Sequence, residues 1–491
     1  MRPGPALDIT VCERARLARD ARFDGLFFTA VRTTGIYCRP ICPAPPPRPY
    51  NVRYYPSAAA AAAAGYRPCL RCRPELSPAS AAAPGQETVR RALELVQAGF
   101  LQDHGMAMLA ARVGMGARQL QRLFVAALGA TPRQLHATQR LLQARQLLIE
   151  TRLPLADVAL AAGFNSLRRF NDAFLAGGGM PPGVIRRLRA APTAGDAGLH
   201  LRLGYRPPLD FGLMLQFLRR RTIPGVERID ADGYQRVIGP ADRPGLLQVS
   251  ADARRHELRL RLQGVPPREV ADVVRRVRHL FDLDADLRQV HATLAAEPLL
   301  AQGIAQRPGL RVPGGWDGFE TAVRAVLGQQ VSVAAATTLA RRLVQAHGQP
   351  LRGMPAGLDR LFPGAAQLAD APLEALGLPR TRAATLRALA RACAGGALDF
   401  AAGQRLDDFI HRCVALPGIG AWTAHYIALR ALGQPDAFPS GDLVLQQVLG
   451  APGPRLSGRQ ADARSQAWRP WRAYAVLHLW HLSSPSSGTS P

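Results

Sequence analysis

"LPGIGAWTAHYIALRALGQPDAFPSGD", residues 416–442, decides how the C-terminal half is read. It sets a Pro-Gly-x-Gly turn ahead of an apolar-periodic run and places one carboxylate, Asp442, about twenty residues further on. Gly418 and Gly420 permit a tight turn whose backbone N–H groups converge at a helix N-terminus, and such groups bind phosphate. The turn is therefore predicted to be a helix-hairpin-helix that holds a DNA strand without reading its bases. Pro-Gly-x-Gly by itself is common between helices, and an aspartate after "PSG" is by default a helix cap. The rest of the chain has to support the reading.

At 491 residues the chain is long enough for several domains, since single cores stop growing below about 250–300 residues. The formal charge is +26, and all 62 cations are arginine. Codon bias explains arginine in place of lysine. It does not explain a surplus of cations over 36 acids, which points to a polyanionic partner, most simply nucleic acid. The N-terminal "MRPGPALDITVCERARL" has no apolar core, and no apolar run of about twenty residues occurs. Seven cysteines, four of them clustered, then suggest metal or reactive thiols rather than disulfides. A cytoplasmic protein with no membrane partner is expected.

Small, polar, Pro/Gly-rich stretches at 77–86 and 189–198 read as linkers, and the tail 483–491 as disordered. Between the linkers, "LAARVGMGARQLQRLF" (109–124) and "VALAAGFNSLRRFNDAF" (158–174) form an internal repeat, with Gly114 and Gly163 lying 49 residues apart. Each copy fits a helix, a glycine turn and a second amphipathic helix. The second helices carry Arg118 and Arg122 in one copy and Arg168 and Arg169 in the other, the predicted DNA contacts. From 103 to 189 there are 12 arginines against Asp103, Glu150, Asp157 and Asp172, a net +8. Further on, "HELRLRLQG" alternates as a half-buried strand does, and "YQRVIG" is a second candidate. Helical periodicity returns from Trp316. The predicted fold class is multidomain and mainly α: a small zinc domain, a double helix-turn-helix, an α+β piece and an all-α helix-hairpin-helix domain.

Cys38-x3-Cys42 and Cys69-x2-Cys72 form two close pairs with 26 residues between them, a spacing suited to one tetrahedral Zn²⁺. On spacing alone the ion would be structural. The surrounding "FFTAVRTTGIYCRPIC…NVRYY…AAGYRPCLRCRPE" closely resembles the N-terminal domain of the Ada DNA-repair proteins. That resemblance implies Cys38 as both zinc ligand and acceptor of a methyl group from a DNA methylphosphotriester, with Cys42, Cys69 and Cys72 as the other ligands. The repeat resembles the AraC-type domain of the same proteins, which implies a transcriptional activator with RNA polymerase as partner. The sequence departs from the Ada pattern in the proline-rich "PAPPPRPY" after Cys42, and the Pro-Cys-His-Arg motif of a methylguanine methyltransferase is absent. Cys12, Cys393 and Cys413 stand alone and read as bystanders.

Residues 201–482 resemble 3-methyladenine DNA glycosylase II, the AlkA family, through "YRPPLDFGLMLQFLRRR", "FDLDAD", "RPGLRVPGGWDGFETAVRAVLGQQVSVAAA", the hairpin, "DAFPSGD" and "WRPWRAYAVLHLW". The resemblance implies Asp442 as the catalytic carboxylate. It implies a base pocket of Trp422, Tyr426, Trp480 and Phe217, with Gln329 and the wedge position Gln330 also facing substrate. The partners implied are double-stranded DNA, both damaged and promoter sites, and the cofactors are Zn²⁺ and a monovalent cation at the hairpin. Two departures stand out: Gly441 replaces an acidic neighbour of Asp442, and Gln330 replaces an apolar wedge. Related glycosylase/lyases carry a Schiff-base lysine where this chain has Trp422, and no lysine exists elsewhere, so a monofunctional glycosylase is expected. The domains expected are 8–76 (zinc), 85–188 (helix-turn-helix), 200–312 (α+β) and 313–485 (glycosylase), in a monomer. Two rivals stay open at this level: a regulator with a degenerate C-terminal half, and a glycosylase with a purely structural zinc.

Overall fold

The computed structural model describes residues 7–80, 86–187 and 198–483. Half of the first expected linker, nearly all of the second and nearly all of the expected disordered tail lie outside those residues, as do the domain ends placed at 85, 188 and 485. Two compact units emerge, one made of Met1–Pro207 and Gly245–Arg275, the other of Pro208–Pro244 and Arg276–Pro491.

In the first unit, β1 (Phe28–Val31), β2 (Ile36–Cys38), β3 (Val52–Tyr55) and β4 (Arg67–Pro68) form a sheet in the order β3-β1-β2-β4. Inward-facing Phe28, Ala30 and Tyr37 bury against Ala61 of the alanine helix Ala58–Ala63. Small side chains let that helix lie close to the sheet. The repeat folds as α1 (Met106–Arg112), α2 (Ala117–Leu128), a long α3 (Pro132–Glu150), α4 (Leu155–Ala161) and α5 (Leu167–Gly178). Both turns put their glycine in the left-handed region, Gly114 at φ 75° and Gly163 at 76°, where a Cβ is strained. Leu120, Phe124, Phe170 and Phe174 are buried, which leaves the arginines of α2 and α5 facing outward. Thr131 starts α3 with a capping box to Gln134.

The same unit holds three antiparallel strands. Glu257–Gln263 pairs on one side with Leu199–Gly204 and on the other with Gly245–Asp252. Leu258, Leu260 and Leu262 are buried while Arg259 is exposed, as the alternation predicts. The segment expected as one α+β domain, 200–312, is thus shared between the two units. Its first strand is tied to α3, since Arg202 donates from N and Nε to Glu150 at 3.1 and 2.8 Å.

The second unit starts with α6 (Phe211–Arg219) and the hairpin Glu227–Asp230/Gly233–Ile238, then becomes helical. The elements that form its site are α7 (Gly318–Leu327), α8 (Leu406–Val414), α9 (Ala421–Ala431), α10 (Leu443–Gly450) and α11 (Arg472–Ser483). One apolar core runs through them, with Val323, Ile427, Ala428, Phe438, Val476 and Leu479 essentially inaccessible. Among the described residues no helix is long and apolar enough to cross a membrane.

Candidate active site and metal centre

The opening stretch folds as α8, a turn and α9. Gly418 takes φ 81°, and a Cβ there would lie 2.0 Å from Thr385 Oγ1, so both backbone and space demand glycine. Gly420 precedes α9 at φ −88°, and a Cβ there would meet nothing within 4 Å, so this position has room for a side chain. Pro417, Gly418 and Gly420 are exposed, the disposition a phosphate-holding turn needs. Gln329 does not line the cavity described below. Its Nε2 donates to Gly418 O at 2.9 Å and Thr423 Oγ1 at 3.0 Å, while Arg382 donates to its carbonyl at 2.7 Å. That amide ties the segment after α7 to the hairpin. Gln330, next in sequence, is exposed with φ 56°.

Beside the hairpin opens a cavity of about 1220 Å³, lined by Trp422, Tyr426, Asp442, Trp480 and Phe217 among others. Asp442 does two jobs. It caps α10, Oδ1 accepting from Val444 N and Leu445 N at 3.0 Å each. The same carboxylate is held by two indoles, Trp422 Nε1 donating to Oδ2 at 3.0 Å and Trp480 Nε1 to Oδ1 at 3.4 Å. Trp422 stacks on Tyr426 at 5.6 Å and 17°, and Tyr426 meets Trp480 at 6.2 Å and 45°. All five aromatic and acidic residues expected at the pocket therefore share one cavity.

Two residues escaped the sequence reading. Arg221 Cζ sits 3.7 Å over the Phe217 ring, and Arg430 Cζ lies 4.8 Å from the same ring and donates to the Tyr426 hydroxyl at 3.0 Å. Burial pushes the Tyr426 phenol up, but Arg430 and Arg221 outweigh it and hold the group below its ordinary value. The signal was present as four-residue steps: Trp422, Tyr426 and Arg430 share one face of α9, and Arg221 follows Phe217 by four residues, just past the end of α6.

In the first unit the four predicted sulfurs converge. The ligand atoms of Cys38, Cys42, Cys69 and Cys72 all lie within 4.8 Å of one another. Tetrahedral Zn–S bonds of about 2.3 Å require separations of about 3.8 Å, so the set fits one Zn²⁺. Arg39 N donates to Cys72 Sγ at 3.3 Å, and the buried Arg39 side chain pairs with Asp24. Arg145 of α3 donates to Pro68 O and Cys69 O at 2.8 and 2.7 Å, fixing the second cysteine turn. Cys38 and Cys42 are partly exposed, whereas Cys69 and Cys72 are buried. Arg118, Arg122, Arg168 and Arg169 are exposed on α2 and α5.

Comparison with known proteins follows the same division. The family model of the metal binding domain of Ada matches residues 11–75, and a helix-turn-helix domain matches 109–188. The AlkA N-terminal domain matches 200–317, and the HhH-GPD superfamily base excision DNA repair protein matches 323–472. A protein of Mycobacterium tuberculosis, named "Probable bifunctional transcriptional activator/DNA repair enzyme AlkA", is 41% identical over 481 residues, covering 96% of each chain. The chain belongs to this AlkA family. DNA-3-methyladenine glycosylase 2 of Escherichia coli, 35% identical over 282 residues, matches 57% of this chain and 96% of its own. The solved 3-methyladenine DNA-glycosylase of Archaeoglobus fulgidus has 18% identity and a TM-score of 0.51 over 57% of this chain and 97% of its own, a likeness of fold alone. The AlkA family chain is thus a fusion of an Ada-type zinc domain and DNA-binding helix-turn-helix unit with a DNA glycosylase of the AlkA type. Its three remaining cysteines fit no site: burial pushes the Cys12 thiol up to about 11 and those of Cys393 and Cys413 up to about 12.

Proposed function

We propose that the glycosylase half excises alkylated purines such as 3-methyladenine, flipping the nucleotide into the aromatic cavity and hydrolysing its N-glycosidic bond. The observation that carries this reading is the Asp442 carboxylate held by both Trp422 and Trp480 inside that cavity. A stacked base is out of reach, so it must leave the helix at a cost of a few kcal/mol. The faces of Trp422, Tyr426 and Trp480 offer an electron-poor ring compensation of roughly 0.5–2 kcal/mol. As the bond breaks, the sugar becomes oxocarbenium-like and positive, and Asp442 offsets that charge. Three N–H groups already point at Oδ1 and one at Oδ2, which suits the carboxylate to electrostatic stabilisation better than to taking a proton from water. The exposed hairpin holds the flanking phosphate, and Gln330, exposed next to the hairpin-bound Gln329, fills the vacated space. With no lysine in the chain, the product is an abasic site and no strand is cut.

In the N-terminal half we assign Cys38 as methyl acceptor. When bound, Zn²⁺ keeps four thiolates deprotonated and nucleophilic at neutral pH. Cys38 Sγ attacks the methyl carbon of a phosphotriester, and the phosphodiester oxygen leaves with the bonding electrons. One negative charge is lost at the cluster, phosphate is repelled less, and promoter binding by α2 and α5 strengthens. Release of free 3-methyladenine from methylated DNA tests the first assignment, and no release by the wild type overturns it. For the second, mass spectrometry after incubation with methylated DNA should find about 14 Da added at Cys38 alone. An unmodified Cys38 leaves the zinc purely structural.

A further inference from the structure

The cavity lining carries charges of both signs, several of them paired with one another, as Arg324 and Arg236 are with Glu227 and Glu320. Asp442 lies on that lining with Arg221 and Arg430. The charge of Arg430 is fixed in place, its N–H groups donating to Pro313 O, Gly314 O and the Tyr426 hydroxyl. Arg221 is held by stacking on Phe217, by a hydrogen bond from its NH1 to Phe217 O at 3.0 Å, and by a further bond to the Tyr426 hydroxyl. Among the described residues no carboxylate lies within ion-pairing distance of either guanidinium, although 3.0 Å or closer pairing is common elsewhere in this unit, as in Arg324 with Glu227 at 2.7 Å. Two uncompensated cations on the wall of a pocket for cationic bases are a contradiction if cation–π attraction is the whole of recognition.

The contradiction dissolves once the leaving group is considered. Heterolysis of the N-glycosidic bond sends its electron pair to the base nitrogen, and water supplies hydroxide to the sugar carbon; its proton goes to solvent when the departing base is already neutral and to the base when the base departs as an anion. A cationic alkylpurine leaves neutral. A neutral purine leaves as an anion and needs positive charge beside it. We propose that Arg221 is a specificity-determining residue that stabilises the departing base and tilts this glycosylase toward neutral purines that carry acceptor atoms on the edge away from the sugar. Arg430 donates from each of its three nitrogens to protein acceptors and adds field, while Arg221, bonded only to Phe217 O and the Tyr426 hydroxyl, has N–H groups left to reach an exocyclic oxygen or ring nitrogen. The inference rests on the glycosylase reading above.

Single-turnover excision by the full chain from two duplexes tests it, one carrying hypoxanthine (neutral) and one 7-methylguanine (cationic). Removing a unit charge about 5–10 Å from the base should make Arg221→Leu lose tenfold or more on hypoxanthine while gaining on 7-methylguanine, so the ratio falls by more than about tenfold. Arg221→Lys, which keeps the charge, should hold the ratio within about threefold of wild type. Equal losses on both substrates would show that Arg221 only supports Phe217 and Tyr426, and would overturn the proposal. If wild type excises neither base, the glycosylase reading itself fails, a distinguishable result. Should Arg221→Leu fail to fold, an unchanged ratio in Arg221→Gln overturns the proposal equally.

Discussion

Replacing Asp442 by Asn separates the two jobs of that side chain. Asparagine caps helices about as well as aspartate, so its Oδ1 can keep the bonds from Val444 N and Leu445 N, each 3.0 Å long in the native protein. Its Nδ2 must then face Trp422 Nε1, donor against donor, where a 3.0 Å bond stood. That loss costs about 1 kcal/mol and lowers Tm by only about 2–4 °C in a unit of this size. The lost charge matters far more to catalysis. A unit anion about 4 Å from an oxocarbenium centre at an effective dielectric of about 20 contributes about 4 kcal/mol, or about 10³-fold in rate. We expect single-turnover 3-methyladenine release by Asp442→Asn to fall about 10³-fold, while its Kd for DNA carrying an abasic-site analogue changes less than about threefold. A folded variant within about tenfold of wild type would refute the assignment of Asp442.

Gly418→Ala, forced to φ 81° with its Cβ against Thr385 Oγ1, should cost about 1–3 kcal/mol and weaken DNA binding in fluorescence anisotropy, whereas Gly420→Ala should leave the unfolding midpoint unchanged. Burial pushes the Asp282 carboxyl up to about 6, outweighing Arg311 and the hydrogen bond from the Tyr474 hydroxyl at 2.9 Å. Because this folded value lies above that of an unfolded aspartate, near 3.9, its contribution is complete below about pH 4 and is lost as pH rises through about 6. Asp282→Asn should therefore gain on wild type by up to about 3 kcal/mol between pH 4 and 7 in denaturant titrations, and a pH-independent difference would contradict that account. Chelation should add four rapidly reacting thiols, those of Cys38, Cys42, Cys69 and Cys72, to a native protein in which Cys12 and Cys413 are buried and react slowly with a disulfide reagent.

What could be read in the amino-acid sequence was local. Cysteine spacing announced the sulfur cluster, glycines 49 residues apart announced the repeated turn, and the alternation in "HELRLRLQG" announced a strand. Each is a constraint that neighbouring residues impose on one another through backbone geometry or period, so each survives without knowledge of the fold. The hairpin is of the same kind, since Gly418 needs its left-handed turn wherever it sits.

Only the tertiary structure decided what those pieces touch. Asp442 is a helix cap, as its local setting suggested, and simultaneously a carboxylate gripped by indoles from α9 and α11. Gln329, expected toward substrate, spends its amide on the hairpin. Phe217 and Arg430 lie about two hundred residues apart in the sequence, yet they share one stack with Arg221. Hydrogen bonds and ring contacts act over a few ångströms, and chain segments so distant in sequence reach that range only when the apolar core brings their helices together.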